Sequence, residues 1–168
     1  VEKICGDGEE EATVTQGERH VMFRVGDTML VSRRLEGEFL AYRQAIPRNN
    51  GIKVEGDTRA LLTSIDRVSL IISDKLKSPL RCVFEQNMLK ISTKTAIGDA
   101  ADQCPIDGDG QELEIGFNNK YLMDALKAAP AEKLRLEFTS GVAPCVILPA
   151  EGEENFVYMV LPVRLKAE

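Results

Sequence analysis

Apolar and polar positions alternate early in the chain. Glu11-Ala12-Thr13-Val14-Thr15 has the period of two expected of a strand with one face turned inward. Val21, Phe23 and Val25 alternate with Met22 and Arg24, and residues 29–33 repeat the pattern. Gln16-Gly17-Glu18 and Gly26-Asp27 supply turns between them. The pattern predicts a stub of helix followed by a three-strand antiparallel meander. Residues 36–51, with Pro47 and Asn49-Asn50-Gly51, read as a linker.

The period changes after a short strand at 52–55. Ala60, Leu61, Ile65, Val68 and Ile72 fall on one face at helical spacing, and Asp57 or Gly56 can cap the helix they imply, which runs to about residue 73. Strands are predicted at 80–85, 88–95, 100–106 and 112–117. A second helix is predicted over 118–129, stopped by Pro130, which cannot continue it. The last strands are predicted at 133–139, 142–148 and 156–161. Residues 52–168 thus spell strand, helix and three strands, twice over, and residues 1–34 supply the end of another copy. The expectation is an α+β fold of repeated strand-helix-three-strand units. A unit represented only by its end has open strand edges and an uncovered sheet face, so the chain reads as an excised or processed fragment.

Composition adds limits. Of 168 residues, 43% are apolar and 29% charged, as in an ordinary globular protein. No apolar run reaches the roughly 20 residues a membrane span needs. The start, Val1-Glu2-Lys3-Ile4-Cys5, lacks an initiator methionine and the features of a signal peptide. The four cysteines, at 5, 82, 104 and 145, have no zinc-ligand spacing, and with a single histidine they are expected to be reduced thiols of a cytoplasmic protein. No cofactor is expected.

The net charge of −6 argues against a plain nucleic-acid binder, whose affinity comes from phosphate neutralisation. The charges are unevenly placed, however. The first helix carries Arg59, Thr63 and Arg67 opposite its apolar stripe, and the second carries Lys120, Met123 and Lys127; Lys75 and Lys77 follow the first. Acidic residues gather at 9–11, 99–109 and 151–154, in predicted turns and loops. The helices are therefore either ordinary solvated faces or a weak, sequence-independent lining for phosphates, diluted by Asp66 and Asp124.

Signatures of catalysis are missing. The sequence has no GxSxG, Walker A, GxGxxG or HExxH motif. His20 lies in a predicted hairpin with no nucleophile nearby in sequence. Asp107-Gly108-Asp109-Gly110-Gln111-Glu112 does not keep the register of a calcium loop and reads as an acidic turn. A small enzyme is the weakest of the functional readings.

Three segments carry a family resemblance. The stretch from Leu113 to Leu126, with Glu114-Ile115-Gly116-Phe117-Asn118 and then Tyr121, resembles the C-terminal domain of bacterial DNA sliding clamps, the beta subunit of DNA polymerase III. So does the ending Val157-Tyr158-Met159-Val160-Leu161-Pro162-Val163-Arg164-Leu165. The segment from Gly37 to Pro47 is similar to the one leaving the family's middle domain. The resemblance implies the DNA-clamp fold, with helices on one face of antiparallel sheets. Residues 1–49 would be the last part of the middle domain and 50–168 the C-terminal domain.

The resemblance also implies a function without catalysis. The intact protein would close as a homodimer ring around duplex DNA and tether DNA polymerase III subunits, the clamp loader and other proteins bearing a clamp-binding motif. Topological tethering tolerates an acidic chain. Carried over by position, the peptide groove would be formed by Leu40, Gln44, Ala45, Asn118, Tyr121, Val142, Pro144, Met159, Leu161, Pro162, Val163, Arg164 and Leu165. An exposed apolar groove with a few polar anchors suits a hydrophobic peptide. Read without the family, 157–165 is an edge strand on the core and Tyr121 a helix-to-sheet contact. Arg59, Arg67, Lys120 and Lys127 would face DNA, and Leu70 and Ile71 would meet a second subunit. The sequence departs from the family pattern at Gln44, where a basic residue is common, at Pro144, where a small polar residue is common, and in the extra Lys166-Ala167-Glu168. A peptide-binding adaptor without a DNA role is the alternative.

Overall fold

The computed structural model describes residues 1–5, 11–73 and 78–165, apart from the side chains of Glu2 and Ile4. Lys75, Lys77, Glu9, Glu10 and the three final residues therefore lie outside the described residues. The chain divides into two compact units, Val1–Ala41 and Tyr42–Glu168.

The first unit holds a short helix, α1 (Glu2–Cys5), and the expected meander of β1 (Ala12–Gln16), β2 (His20–Val25) and β3 (Thr28–Arg33). The register sets Val14 opposite Phe23 and Phe23 opposite Leu30. With side chains alternating across the pleat, Ala12, Val14, Val21, Phe23, Val25 and Leu30 share one face. Of these Val25 is buried, whereas Val14 is 59% and Leu30 39% exposed.

The second unit begins with a one-turn helix, α2 (Tyr42–Ala45), and then β4 (Ile52–Asp57), α3 (Thr58–Ser69), β5 (Leu80–Thr95), β6 (Gly98–Phe117), α4 (Asn119–Ala128), β7 (Lys133–Phe138), β8 (Cys145–Pro149) and β9 (Tyr158–Val160). The strands form one sheet in the order β5-β6-β4-β7-β8-β9. The resolved strand pairs are antiparallel. Both helices start as the sequence predicts. The Asp57 side chain accepts from the Ala60 N–H at 2.7 Å, and Asn118 accepts from Lys120 N–H at 3.0 Å, each supplying a partner to an otherwise unpaired helix donor. Leu61, Ile65 and Val68 of α3 and Leu122, Met123 and Leu126 of α4 enter the core with Leu80, Phe84, Ile91, Ile115 and Phe138. The Phe84 and Phe138 rings meet with centroids 4.7 Å apart. Thr58 fastens α3 to the turn after α4 through its hydroxyl to Ala131 C=O (2.6 Å) and its N–H to Glu132 C=O (2.8 Å).

One expectation is corrected. The predicted strands 80–85 and 88–95 are a single strand, as are 100–106 and 112–117. Asn87, Gly108 and Gln111 have positive φ, which in the sequence looks like turn chemistry. Here those residues sit at irregularities where the β5–β6 register shifts on either side of Gln86. The bulged part of β6 touches β4, where Asp107 pairs with Glu55. A Cβ at Gly108 would stand 2.9 Å from the Lys53 carbonyl oxygen, and its φ of +115° excludes ordinary side chains as well. The acidic 107–112 segment is thus a bulged portion of a strand, not a turn between strands. The strands 142–148 and 156–161 shorten to β8 and β9.

Candidate functional site

Some of the residues expected in the groove lie on segments that meet at the end of β6. That strand runs almost directly into α4, so the Asn118 cap and Tyr121 follow immediately after buried Phe117. From the other side comes the C-terminal segment. β9 pairs with β8, and Tyr158 O–H donates to the Ala128 carbonyl at the end of α4 (3.0 Å) while its ring stacks on Phe156. Pro162 has no N–H to extend a ladder. Val163 N–H then donates to Gly116 C=O at 2.8 Å, an isolated antiparallel bridge.

This approach is close because position 116 has no side chain. A Cβ there would stand 2.5 Å from Val163 O and 2.8 Å from Leu165 Cδ2. Gly141 makes a similar approach: a Cβ on it would collide with the Glu114 carbonyl oxygen. The stretch 114–116 therefore seats both the loop that carries Val142 and Pro144 and the tail that carries Val163 and Leu165. The site residues named from the sequence did not include Gly116 and Gly141. The glycine in the Ile115-Gly116-Phe117 motif was visible, but its neighbour lies 47 residues ahead, at Val163.

The side chains presented around this seat are apolar and open. Val142 is 82% exposed, Tyr121 66%, Leu161 62%, and Met159 and Val163 36% each. Val160 points inward at 4% exposure, so the alternation along the strand turns Met159 and Leu161 outward. Pro144, Pro162 and Leu165 are half-buried and Arg164 is exposed. Tyr121 is not the buried helix-to-sheet contact that a family-free reading allows. The Asn118 carboxamide oxygen is engaged by the helix cap, which leaves its NH2 to offer a ligand. Gln44 and Ala45 are exposed on α2, in the same compact unit; Leu40, 70% exposed, belongs to the first unit.

The basic helix residues Arg59, Arg67, Lys120 and Lys127 are all exposed, as are Asp66 and Asp124. Arg67 is ion-paired to Asp102 at 2.7 Å. Met123 is 8% exposed and packs in the core, so it does not share an outer face with Lys120 and Lys127. Leu70, which follows α3, is 79% exposed, and Ile71 is half-buried; a fully buried helix face is excluded for Leu70.

Among the described residues no cluster of His, Cys, Asp and Glu could hold a metal ion. His20 is exposed at the start of β2. Burial pushes the Cys82 thiol up to about 12, assisted by Cys104, and raises Cys104 and Cys145 too, which leaves these thiols protonated and unreactive. A separate concavity lies between Glu55, Asp57, Asp107, Glu132 and Glu151, with Lys133 bridging Glu55 (3.1 Å) and Asp107 (2.8 Å). Its acidic wall repels phosphate.

Residues 43–164 match the family model described as DNA polymerase III beta subunit, C-terminal domain. The beta sliding clamp of Staphylococcus aureus is 30% identical over 164 residues, which are 96% of this chain and 43% of that protein. Among solved structures, a putative DNA polymerase III beta subunit from Eubacterium rectale superimposes with a TM-score of 0.83 at 31% identity, covering 95% of this chain and 43% of that one. A sliding clamp from Pseudomonas aeruginosa bound to griselimycin gives 0.79 at 25% identity, covering 95% and 43%. The chain thus spans less than half the length of these relatives, and the match over 43–164 shows that it belongs to the family defined by the C-terminal domain of the DNA polymerase III beta subunit.

Proposed function

We propose that this chain is part of a DNA polymerase processivity factor, and that its site is a groove for short hydrophobic peptides. The observation that carries this reading is the open apolar set at the end of β6. Five exposed apolar side chains, Tyr121, Val142, Met159, Leu161 and Val163, stand on elements held together by the Gly116 and Gly141 contacts. An apolar surface in a preorganised frame favours peptide capture, because less ordering entropy opposes binding. Arg164 and the Asn118 NH2 supply polar anchors, while Gln44 and Ala45 would add to the wall from the chain ahead of β4.

In this proposal residues 1–49 end the middle domain and 50–168 form the C-terminal domain. The compact units divide slightly earlier, after Ala41. The complete protein is proposed to act in the cytoplasm as a homodimer ring, with Leu70 and Ile71 at the boundary between protomers and no chemistry of its own. Duplex DNA passes Arg59, Arg67, Lys120 and Lys127 without tight binding. DNA polymerase III subunits, the clamp loader and other motif-bearing proteins dock in the groove.

The Arg67–Asp102 pair and the net charge of −6 favour a second reading, a peptide-binding adaptor without a DNA role. A ring that slides on circular DNA, assembled with the missing length of its relatives supplied, would separate the two.

The groove is tested by fluorescence anisotropy with a labelled peptide containing Gln-Leu-x-Leu-Phe. Saturable binding is expected, abolished by Leu161→Asp with Val163→Asp. Binding that survives both changes places the peptide elsewhere and contradicts the proposal.

A further inference from the structure

Two polar side chains, Asn50 just ahead of β4 and Glu137 on β7, are buried. Asn50 and Glu137 are each 6% exposed. Glu137 lies between Leu136 and Phe138, whose side chains are in the core, so its carboxylate faces the other side of the sheet. There its Oε1 accepts from Arg135 Nε (2.9 Å) and lies 3.2 Å from Lys53 Nζ, and its Oε2 accepts from Asn50 Nδ2 (3.1 Å). Asn50 Nδ2 also donates to the Pro47 carbonyl (3.3 Å), and Asn50 Oδ1 accepts from the Thr139 hydroxyl (2.9 Å). The carboxamide thus spans the incoming chain and β7, ahead of the first β4–β7 register pair at Ile52 and Phe138.

Burying a carboxylate with its partners is a costly way to stabilise a sheet, since apolar side chains of similar volume do as well or better. What such an arrangement adds is a fixed geometry. The chain that it fixes leads directly back through half-buried Pro47 and Ile46 to α2, which carries Gln44 and Ala45. We infer that Asn50 and Glu137 are positioning residues for the groove: together they lock the segment bearing Gln44 and Ala45 onto the domain and so set peptide affinity without touching the peptide. This inference rests on the peptide-groove reading.

The test uses the full chain and three variants. Asn50→Asp sets a second carboxylate against Glu137 and removes the donor to Pro47. Combining it with Glu137→Gln restores the link between positions 50 and 137 with donor and acceptor exchanged, while the donor to Pro47 stays lost. Thr139→Val deletes only the hydroxyl donor and serves if Asn50→Asp fails to fold. Peptide affinity and amide hydrogen exchange are measured for each. Expected are an about tenfold weaker Kd for Asn50→Asp, recovery to within about threefold of the parent in the double variant, and a smaller loss for Thr139→Val. Exchange should quicken at 44–49 in step with affinity, while α3 and α4 keep their protection. Unchanged exchange at 44–49, or faster exchange there with unchanged affinity, overturns the inference. If the parent chain binds no peptide, the groove reading fails and the claim on affinity falls with it; the lock itself still stands or falls on the exchange pattern.

Discussion

Position 116 shows how one missing side chain can set a surface. Replacing Gly116 by Ala introduces a methyl 2.5 Å from Val163 O, so the tail must move away from β6. The expected result is a loss of about 1–3 kcal/mol in urea unfolding, typical of overpacking, with weakened peptide binding. Cysteine reactivity makes a second check at this scale. Cys82, Cys104 and Cys145 are buried and Cys5 is half-buried. A thiol-specific reagent should titrate Cys5 alone in the native protein and all four thiols after unfolding. Rapid native labelling of Cys82 would contradict the packing. For Glu137, burial alone would push its carboxyl up, but hydrogen bonds from Asn50, Lys53 and Arg135 outweigh that and hold it below the usual range. Its folded value is depressed, so its contribution to stability is present above the ordinary glutamate range and fades as pH falls through the lower folded value. Glu137→Gln should therefore flatten part of the acid limb of a stability–pH curve and leave its shape unchanged above neutrality.

At the scale of elements, the two long helices were the most legible, whereas the one-turn α2 falls in the stretch read as a linker. The apolar stripe of α3 and the Asp57 cap are local, within one turn of each other, and α4 is bounded by Asn118 and Pro130. Asp57→Ala should cost about 1 kcal/mol in chemical unfolding through loss of the cap. The long hairpin was less legible. Asn87 and the 107–112 glycine-rich stretch have turn composition, and composition cannot distinguish a turn between strands from a bulge inside one. The deciding interaction is the pairing of Asp107 with Glu55, across 52 residues. The proposed groove residues rest on family likeness in the Ile115-Gly116-Phe117 and Leu161-Pro162-Val163 motifs. The Gly116–Val163 and Asn50–Glu137 contacts were not legible, because they form only in the folded chain. The segment between β3 and α2 carries exposed Leu35 (96%) and Phe39 (87%). Limited chymotrypsin digestion should cut there first and leave a resistant fragment beginning near residue 40.

The whole molecule pairs unequal parts. The second unit has a core of more than twenty buried apolar residues, whereas the first is a three-strand sheet with Val25 as its buried apolar side chain among those described. Folding stability is therefore expected to reside in the second unit, which also carries nearly all the proposed groove. Membership in the DNA polymerase III beta subunit family is consistent with the proposed role of holding partners, and the match spans 43% of the Staphylococcus aureus relative. The acidic net charge is then no obstacle to the proposed ring, which would retain DNA by topology and not by phosphate affinity. Peptide binding at the end of β6 is open to methyl-resolved NMR titration with the Gln-Leu-x-Leu-Phe peptide. Saturable shifts are expected at Val142, Met159, Leu161 and Val163, with Ile91 and Leu134 in the core little changed. Shifts confined to Leu70 and Ile71, or to Val14 and Leu30 of the first unit, would contradict it.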